Sequence, residues 1–372
     1  MPFPLKLNDS HRRLVSLIRR HQPVPRANLG KLSGLGSGPV TQITRDLLLA
    51  GLIREGERIR GGRGQPALPL MLDPAGALSF GVSMIPGKLR IVAIDFAGTM
   101  VEQTIAAMPD NGPLSVAGII GAQIDQICKK VRLHDRNRIL GVGFALPGFF
   151  FGDHEHMRVV DEHASWRQEP LSELFARALD VPCWIENDAT AAAMAEYYQQ
   201  PGETNALITL LVNYGIGSGL VLAGQPFRGG HGNAGEVGAF YPLDRPRPSG
   251  TDLLKRLQAE GVELRGLTDI DYTDPRHRAV CDIWSRDAGT QLRDLIASAW
   301  SWLDPERIVL SGPLPPALLQ RLVADIGTDS IFAQHPDRPA PQVVPSTLGA
   351  EVAALGAAHI PLHAFTGQMG TI

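Results

Sequence analysis

The chain has 372 residues, 44% of them hydrophobic and 20% charged, enough for two or three compact units with ordinary cores. It has no run of about twenty apolar residues, which excludes an obvious transmembrane helix, and its start, Met1-Pro2-Phe3-Pro4-Leu5-Lys6, lacks a signal-peptide pattern. The formal charge of −3 divides unevenly: residues 1–72 carry twelve Lys/Arg against four Asp/Glu, a net +8, and the remainder carries 23 against 34, a net −11.

In chain order, Leu14, Val15, Leu17 and Ile18 recur between arginines and predict a helix from Ser10, its expected N-cap, to His21. The segment Val24 to Ser33 reads as a second short helix opened by Pro25, and Gly34-Leu35-Gly36 as a tight turn. A third helix is expected from Ser37 to Ala50. Val40, Ile43, Leu47 and Leu48 should face inward, Ser37, Thr41, Gln42, Thr44 and Arg45 outward, and Gly51 should terminate it. Helix, glycine turn and helix within about 25 residues make a helix-turn-helix, whose second helix enters the major groove. Residues 52–56 and 68–72 should then pair as two short strands. The loop between them holds Arg58, Arg60 and Arg63 among glycines, a composition suited to a narrow minor groove. The candidate DNA contacts are Arg26, Ser37, Thr41, Gln42, Arg45, Arg60 and Arg63. A three-helix bundle whose basic hairpin docks on protein is the alternative.

From about Leu78 the composition changes. Strands are expected at 80–83 and 89–95 around a turn at Pro86-Gly87, then at 139–145, 181–185, 206–212, 218–223 and 307–310. Helices are expected at 113–132, 188–199, 279–302 and 347–358. Interleaved strands and helices indicate an α/β body, in two lobes. The domain boundary is placed at 75/76, giving a winged helix-turn-helix over 1–75 and a body over 76–372.

Three motifs in the body carry chemistry. Asn187-Asp188 follows a strand and opens an alanine-rich helix; Asp188 is placed to accept a proton from a substrate hydroxyl, or else the pair simply caps the helix. Gly215, Gly217 and Gly219 alternate at a strand turn and permit close approach of a phosphate, though glycine-rich hairpins also occur without ligands. Glu236 stands in a loop with five glycines between Arg228 and Gly238, where an ionised carboxylate can accept from two sugar hydroxyls, or stand solvated.

Taken in order, these segments resemble the ROK family of sugar kinases and sugar-responsive repressors. The resemblance runs from about Ser10 to His359 and is most specific between Gly215 and Gly238. Further matches are Gly143-Phe144-Ala145-Leu146-Pro147-Gly148, Glu186-Asn187-Asp188 and Ile308-Val309-Leu310-Ser311-Gly312. The head looks like that of the repressor branch. The resemblance implies a two-lobed, actin-like (ribonuclease-H-like) body of sugar-kinase type. In it Asn187, Asp188 and Glu236 would contact sugar, and Gly215, Gly217 and Gly219 would be a vestigial phosphate loop.

The departures are informative. Where the kinases have Asp-x-Gly-Gly-Thr, this chain has Ser83-Met84-Ile85-Pro86-Gly87, without the acid and two of the glycines. Phosphoryl transfer needs metal-bound phosphates held in line, so no catalysis is expected. Where many members have a histidine after Gly-Glu-x-Gly, this chain has Ala239, and their downstream cysteine cluster is replaced by Pro246 to Asp252. Cys128, Cys183 and Cys281 stand far apart, so neither metal, cofactor nor disulfide framework is expected, and the setting should be cytoplasmic.

The expectation is a regulator, acting as a repressor, whose partners are operator DNA, a sugar effector and further copies of itself in a homodimer or tetramer, with no membrane. The last helix, Leu348 to His359, is the expected transmitter between body and head. The alternatives are an active sugar kinase with an accessory DNA-binding head, and a DNA-binding regulator with a vestigial pocket.

Overall fold

The computed structural model describes residues 5–57, 68–152, 156–159, 166, 170–199, 204–333 and 335–367. The chain forms two compact units, one of Met1–Phe144, Gln168–Ile185 and Ala357–Ile372, the other of Ala145–Arg167 and Glu186–Gly356.

The first unit begins with three helices, α1 (Asp9–His21), α2 (Arg26–Ser33) and α3 (Ser37–Leu49). Leu14, Val15, Ile18, Leu29, Val40, Ile43 and Leu47 are buried between them, as their spacing on three amphipathic helices dictates. The N-cap of α1 is Asn8, whose side chain accepts from the His11 N–H, rather than Ser10, which lies inside the helix. Gly34 ends α2 at φ +67° and Gly51 follows α3 at φ +68°, a left-handed backbone that glycine enters without a Cβ penalty. Strands β1 (Ile53–Glu55) and β2 (Leu70–Leu72) pair antiparallel, with Ile53 opposite Leu72. The arginine loop between them, with Arg60 and Arg63, lies outside the described residues.

After this head come β3 (Leu78–Ile85), β4 (Lys88–Asp95), β5 (Met100–Ala107), α4 (Pro113–Lys130) and β6 (Ile139–Leu146). The short hairpin β7 (Gly148–Phe151) and β8 (His156–Val159) belongs to the second unit. Helix α5 (Leu171–Leu179) and strand β9 (Cys183–Asn187) follow it. The first sheet has the order β5-β4-β3-β6-β9. Strand β6 is buried along its whole length and β3 and β4 along nearly all of theirs, whereas edge strand β5 alternates; sheets covered on both faces have this character. Residues 83–87, where a kinase phosphate loop was sought in the sequence, are the end of β3 and a tight turn into β4, with Gly87 at φ +68°.

The second unit continues with α6 (Asp188–Tyr198), β10 (Ala206–Val212), β11 (Ile216–Leu222), β12 (Gln225–Pro226), α7 (Gly250–Ala259), α8 (Pro275–Leu303), β13 (Arg307–Ser311), α9 (Pro316–Ile326), α10 (Asp329–Phe332) and β14 (Gln342–Pro345). Its sheet runs β12-β11-β10-β13-β14, with β10 antiparallel to β11 and parallel to β13. In sequence rank both sheets have the order 3-2-1-4-5, so the body uses one topology twice. Trp284, Leu292 and Ile296 of α8, with Leu253 and Leu257 of α7, cover Ile208, Leu210, Ile308 and Leu310.

The last helix, α11 (Val352–Thr366), contains Pro361. It is longer than the expected 347–358 helix and begins later. Within the first unit its carbonyls are used by other elements: Ser79 Oγ donates to Ala358 O at 2.6 Å and Arg12 Nη1 of α1 to Ala364 O at 2.6 Å. Arg138 makes the second tie to the head, donating to Gly76 O at 2.7 Å and Ala50 O at 3.3 Å. Among the described residues no helix is long and apolar enough to cross a membrane.

Candidate functional site

Two groups of predicted residues come into focus. In the head, Ser37, Thr41, Gln42 and Arg45 all lie on the exposed side of α3, with Val40, Ile43 and Leu47 on the opposite, buried side. Thr41 turns its hydroxyl back to Ser37 O at 2.8 Å, and Gln42 Nε2 donates to Asp46 Oδ1 at 2.9 Å. Arg45 is exposed and has no ion-pair partner among the described residues.

Two expectations change here. Thr44, read as outward, is fully buried: it lies four residues after Val40 and three before Leu47, on the apolar stripe. Arg26, read as a DNA contact, is engaged within the protein; its Nε donates to Thr44 Oγ1 at 3.3 Å and its Nη2 to Glu55 Oε1 at 2.9 Å. That half-exposed pair ties α2 to β1 and takes up part of the guanidinium.

In the body the Asn187, Asp188 and Glu236 trio is brought together within the second unit. Asn187 caps α6, its Oδ1 accepting from Ala189 N at 2.8 Å and Thr190 N at 3.3 Å. Its Nδ2 donates to Gly148 O at 2.7 Å and to Glu236 Oε1 at 3.2 Å. The capping of α6 and the bond to Glu236 are therefore made by opposite ends of one amide. Asp188 stands at the first turn of α6, and Asn213 Nδ2 approaches its Oδ2 at 3.5 Å.

The sequence reading missed the residues that build the loop around Glu236. Buried Glu186 accepts from both Nε and Nη2 of Arg228 on one oxygen, each at 2.7 Å, which fastens the start of the glycine-rich loop to the end of β9. Asn233 exchanges two hydrogen bonds with the Phe150 backbone, both 2.7 Å, and so extends β7 by a side-chain rung. Arg247, in the stretch that replaces the family's cysteines, donates to Gly238 O at 3.2 Å. The Glu186–Arg228 and Phe150–Asn233 pairs are 42 and 83 positions apart in sequence, which no local pattern reveals.

Electrostatics give the site its character. Burial pushes the Asp188 carboxyl up to about 6 against hydrogen bonds from Asn213 and from the backbone N–H groups at the start of α6. Desolvation, and secondly the nearby charge of Asp188, push Glu236 up to about 7 even though its side chain is solvent-accessible. Burial also raises Glu186, with Arg228 opposing it. With Glu186 taken up by Arg228, Asp188 and Glu236 make an acceptor-rich surface that suits hydroxyl donors better than anions.

Gly217 and Gly219 have a packing role. A Cβ on Gly219 would stand 2.2 Å from Ala189 O, and one on Gly217 would stand 2.9 Å from Ala189 Cβ. Both glycines let β11 lie against the alanine-rich face of α6; Gly215, at the turn, has nothing within 4 Å of its Cβ position. Among the described residues no cluster of three or more His, Cys, Asp or Glu side chains is arranged to hold a metal ion.

The ROK family profile matches residues 80–363. A protein of Sinorhizobium fredii, Uncharacterized protein y4fQ, is 34% identical over 373 residues, covering 99% of this chain and 95% of its own. The Xylose repressor of Bacillus spizizenii is 22% identical over 387 residues, covering 98% of this chain and 97% of its own. Among solved structures, a ROK family transcriptional regulator, homolog of the E. coli MLC protein, superposes with a TM-score of 0.71 at 21% identity, over 97% of both chains. A ROK family glucokinase from Streptomyces griseus, solved with glucose and AMPPNP, superposes with a TM-score of 0.61 at 21% identity over 76% of this chain and 99% of its own. The fold is thus a DNA-binding-type head on a sugar-kinase-type body, and the chain belongs to the ROK family.

Proposed function

We propose that this protein is a sugar-responsive, DNA-binding transcriptional regulator that acts as a repressor, with residues 1–75 as the DNA-binding domain and 76–372 as the sensing body. The observation that carries the reading is the joint presence of an exposed polar face on α3, bearing Ser37, Thr41, Gln42 and Arg45, and a hydroxyl-accepting site at Asn187, Asp188 and Glu236. The full-length match to the xylose repressor supports the same pairing of head and sensor. Ser37, Thr41, Gln42 and Arg45 contact the major groove, with Arg60 and Arg63 reaching the minor groove. Arg26 serves chiefly to brace the head.

The body binds sugar without transferring phosphate. The run Ser83 to Gly87, which closes the tight hairpin between β3 and β4, lacks the acid and two of the glycines of a kinase phosphate loop, and Gly217 and Gly219 pack against α6. The regulator works as a homodimer or tetramer on repeated half-sites. A sugar that prefers one state of the body changes operator affinity by its differential binding. Helix α11 transmits that change, since Arg12 of the head grips the carbonyl of Ala364.

The second reading, an active kinase, is favoured by one observation: the Asp188 carboxyl, raised to about 6, suits a general base. A coupled ADP-release assay with a sugar panel, run beside operator binding by fluorescence anisotropy, tests both. The regulator reading expects no sugar-dependent ADP and a sugar-dependent change in anisotropy; steady turnover would replace it with the kinase reading.

A further inference from the structure

Gln42 and Asp46 stand one turn apart on α3, and Gln42 Nε2 donates to Asp46 Oδ1 at 2.9 Å. A carboxylate only accepts, so the amide has one orientation, nitrogen toward Asp46 and Oε1 away from it. One N–H is used; the other N–H and the carbonyl oxygen remain on the exposed face.

Behind Asp46 the ring of His11 approaches without a hydrogen bond. The ring of His11, buried on α1, brings Nε2 within 3.7 Å of Asp46 Oδ2. The His11 ring is fixed in turn by Asn8, whose Oδ1 accepts the His11 backbone N–H at 3.0 Å and lies 2.7 Å from Nδ1. Because that atom accepts a backbone N–H, it is the oxygen, and Nδ1 is the nitrogen that carries a proton toward it.

We infer that Asp46 presents Gln42 as the reader of an adenine in the major groove of the operator. The inference rests on the DNA-binding reading above and goes on to name a base. Adenine offers an N6–H2 donor and an N7 acceptor, which the free oxygen and free N–H of Gln42 match as a pair. Guanine offers two acceptors, N7 and O6, and would need both amide hydrogens, one of which Asp46 holds. Asp46 is a positioning residue: it touches no base and acts through the orientation of Gln42.

The test uses the full-length protein and an operator found by selection, with each base pair of one half-site replaced in turn by the other three. Wild type should lose on the order of tenfold in affinity when one A·T pair becomes G·C. Gln42→Ala, at an exposed position, should bind both sequences alike. Asp46→Leu should level the preference too, and Asp46→Asn, which keeps an acceptor oxygen in place, should restore it. A wild-type preference that Gln42→Ala leaves intact at every A·T pair, or that Asp46→Leu leaves at full strength, would overturn the inference while the DNA-binding reading stands. A wild type with no sequence-specific binding would overturn both.

Discussion

Asn187 and Glu236, 49 positions apart in the chain, meet through a hydrogen bond of 3.2 Å from the Asn187 amide nitrogen to the Glu236 carboxylate. The same nitrogen holds Gly148 O at 2.7 Å, and the same side chain's oxygen caps α6. One asparagine therefore joins a strand start, a helix start and the glycine-rich loop.

Asn187→Ala should consequently act twice. Losing the helix cap costs ~1 kcal/mol, read as a modest fall in melting temperature. Losing the tie to Glu236 should weaken or abolish the thermal stabilisation that the effector sugar gives. Asn187→Asp keeps the cap but sets a fourth carboxylate beside Glu236, and should retain stability better than sugar binding. Thermal melts with and without sugar separate the two effects.

The raised carboxyls make a pH prediction of definite sign. Asp188 rises from 3.8 to about 6 and Glu236 from 4.5 to about 7. A group that holds its proton more tightly when folded stabilises most below its unfolded pKa, and that contribution is lost as pH climbs through the folded value. From this source the ligand-free protein should melt lower at pH 8 than at pH 5.5. Asp188→Asn should remove a large part of that difference and leave the variant more stable than wild type at pH 8. Sugar affinity should run the other way and rise over the same window, because the ionised carboxylates accept hydroxyl protons. Calorimetric titrations at pH 5.5 and 8 check it.

The alternating glycines of β11 and of the turn before it should divide by stability. Gly219→Ala places a Cβ 2.2 Å from Ala189 O and 2.7 Å from Ala193 Cβ, a backbone clash that a rigid sheet–helix contact relieves only by moving, at a cost of ~3 kcal/mol or more. Gly215→Ala meets nothing within 4 Å and should change stability by less than about 0.5 kcal/mol. Denaturant melts of the two variants give the comparison directly; equal, small effects would deny the packing role.

In the head, Arg45 and Arg26 should differ although both were read from the sequence as DNA contacts. Arg45→Ala removes an exposed guanidinium with no ion-pair partner among the described residues and should weaken operator binding by roughly 1–3 kcal/mol if it reads a base, or lower the salt slope by about one if it meets a phosphate. Arg26→Ala should lower head stability, through Glu55 and Thr44, more than it lowers affinity. Binding isotherms across a salt series distinguish the cases.

Much of this was legible without coordinates, for identifiable reasons. The head follows from apolar spacing and two glycine stops, both local properties, and its helices fall within two residues of expectation. Thr44 misled because its type is polar while its position, between Val40 and Leu47, is apolar. The trio Asn187, Asp188 and Glu236 was visible as motif, but its supports were not. Arg228 finds Glu186, and Asn233 finds Phe150, across 42 and 83 positions, and no periodicity encodes such partners. Strand β5 and helices α5, α7 and α9 carried turn and cap signals too weak to separate from their surroundings. The alternating glycines of β11 suggested a ligand, and the nearest explanation proved to be the alanines of α6.

The central claim is that one chain joins DNA recognition to sugar sensing, and genomic selection tests it most directly. Fragmented genomic DNA would be passed over the purified full-length protein, the bound fragments sequenced, and the experiment repeated with each sugar of a panel. The expected outcome is a palindromic or repeated site near carbohydrate genes whose recovery changes with one sugar, and which Glu236→Gln holds constant when that sugar is added. Recovery of no specific fragment at low salt would contradict it.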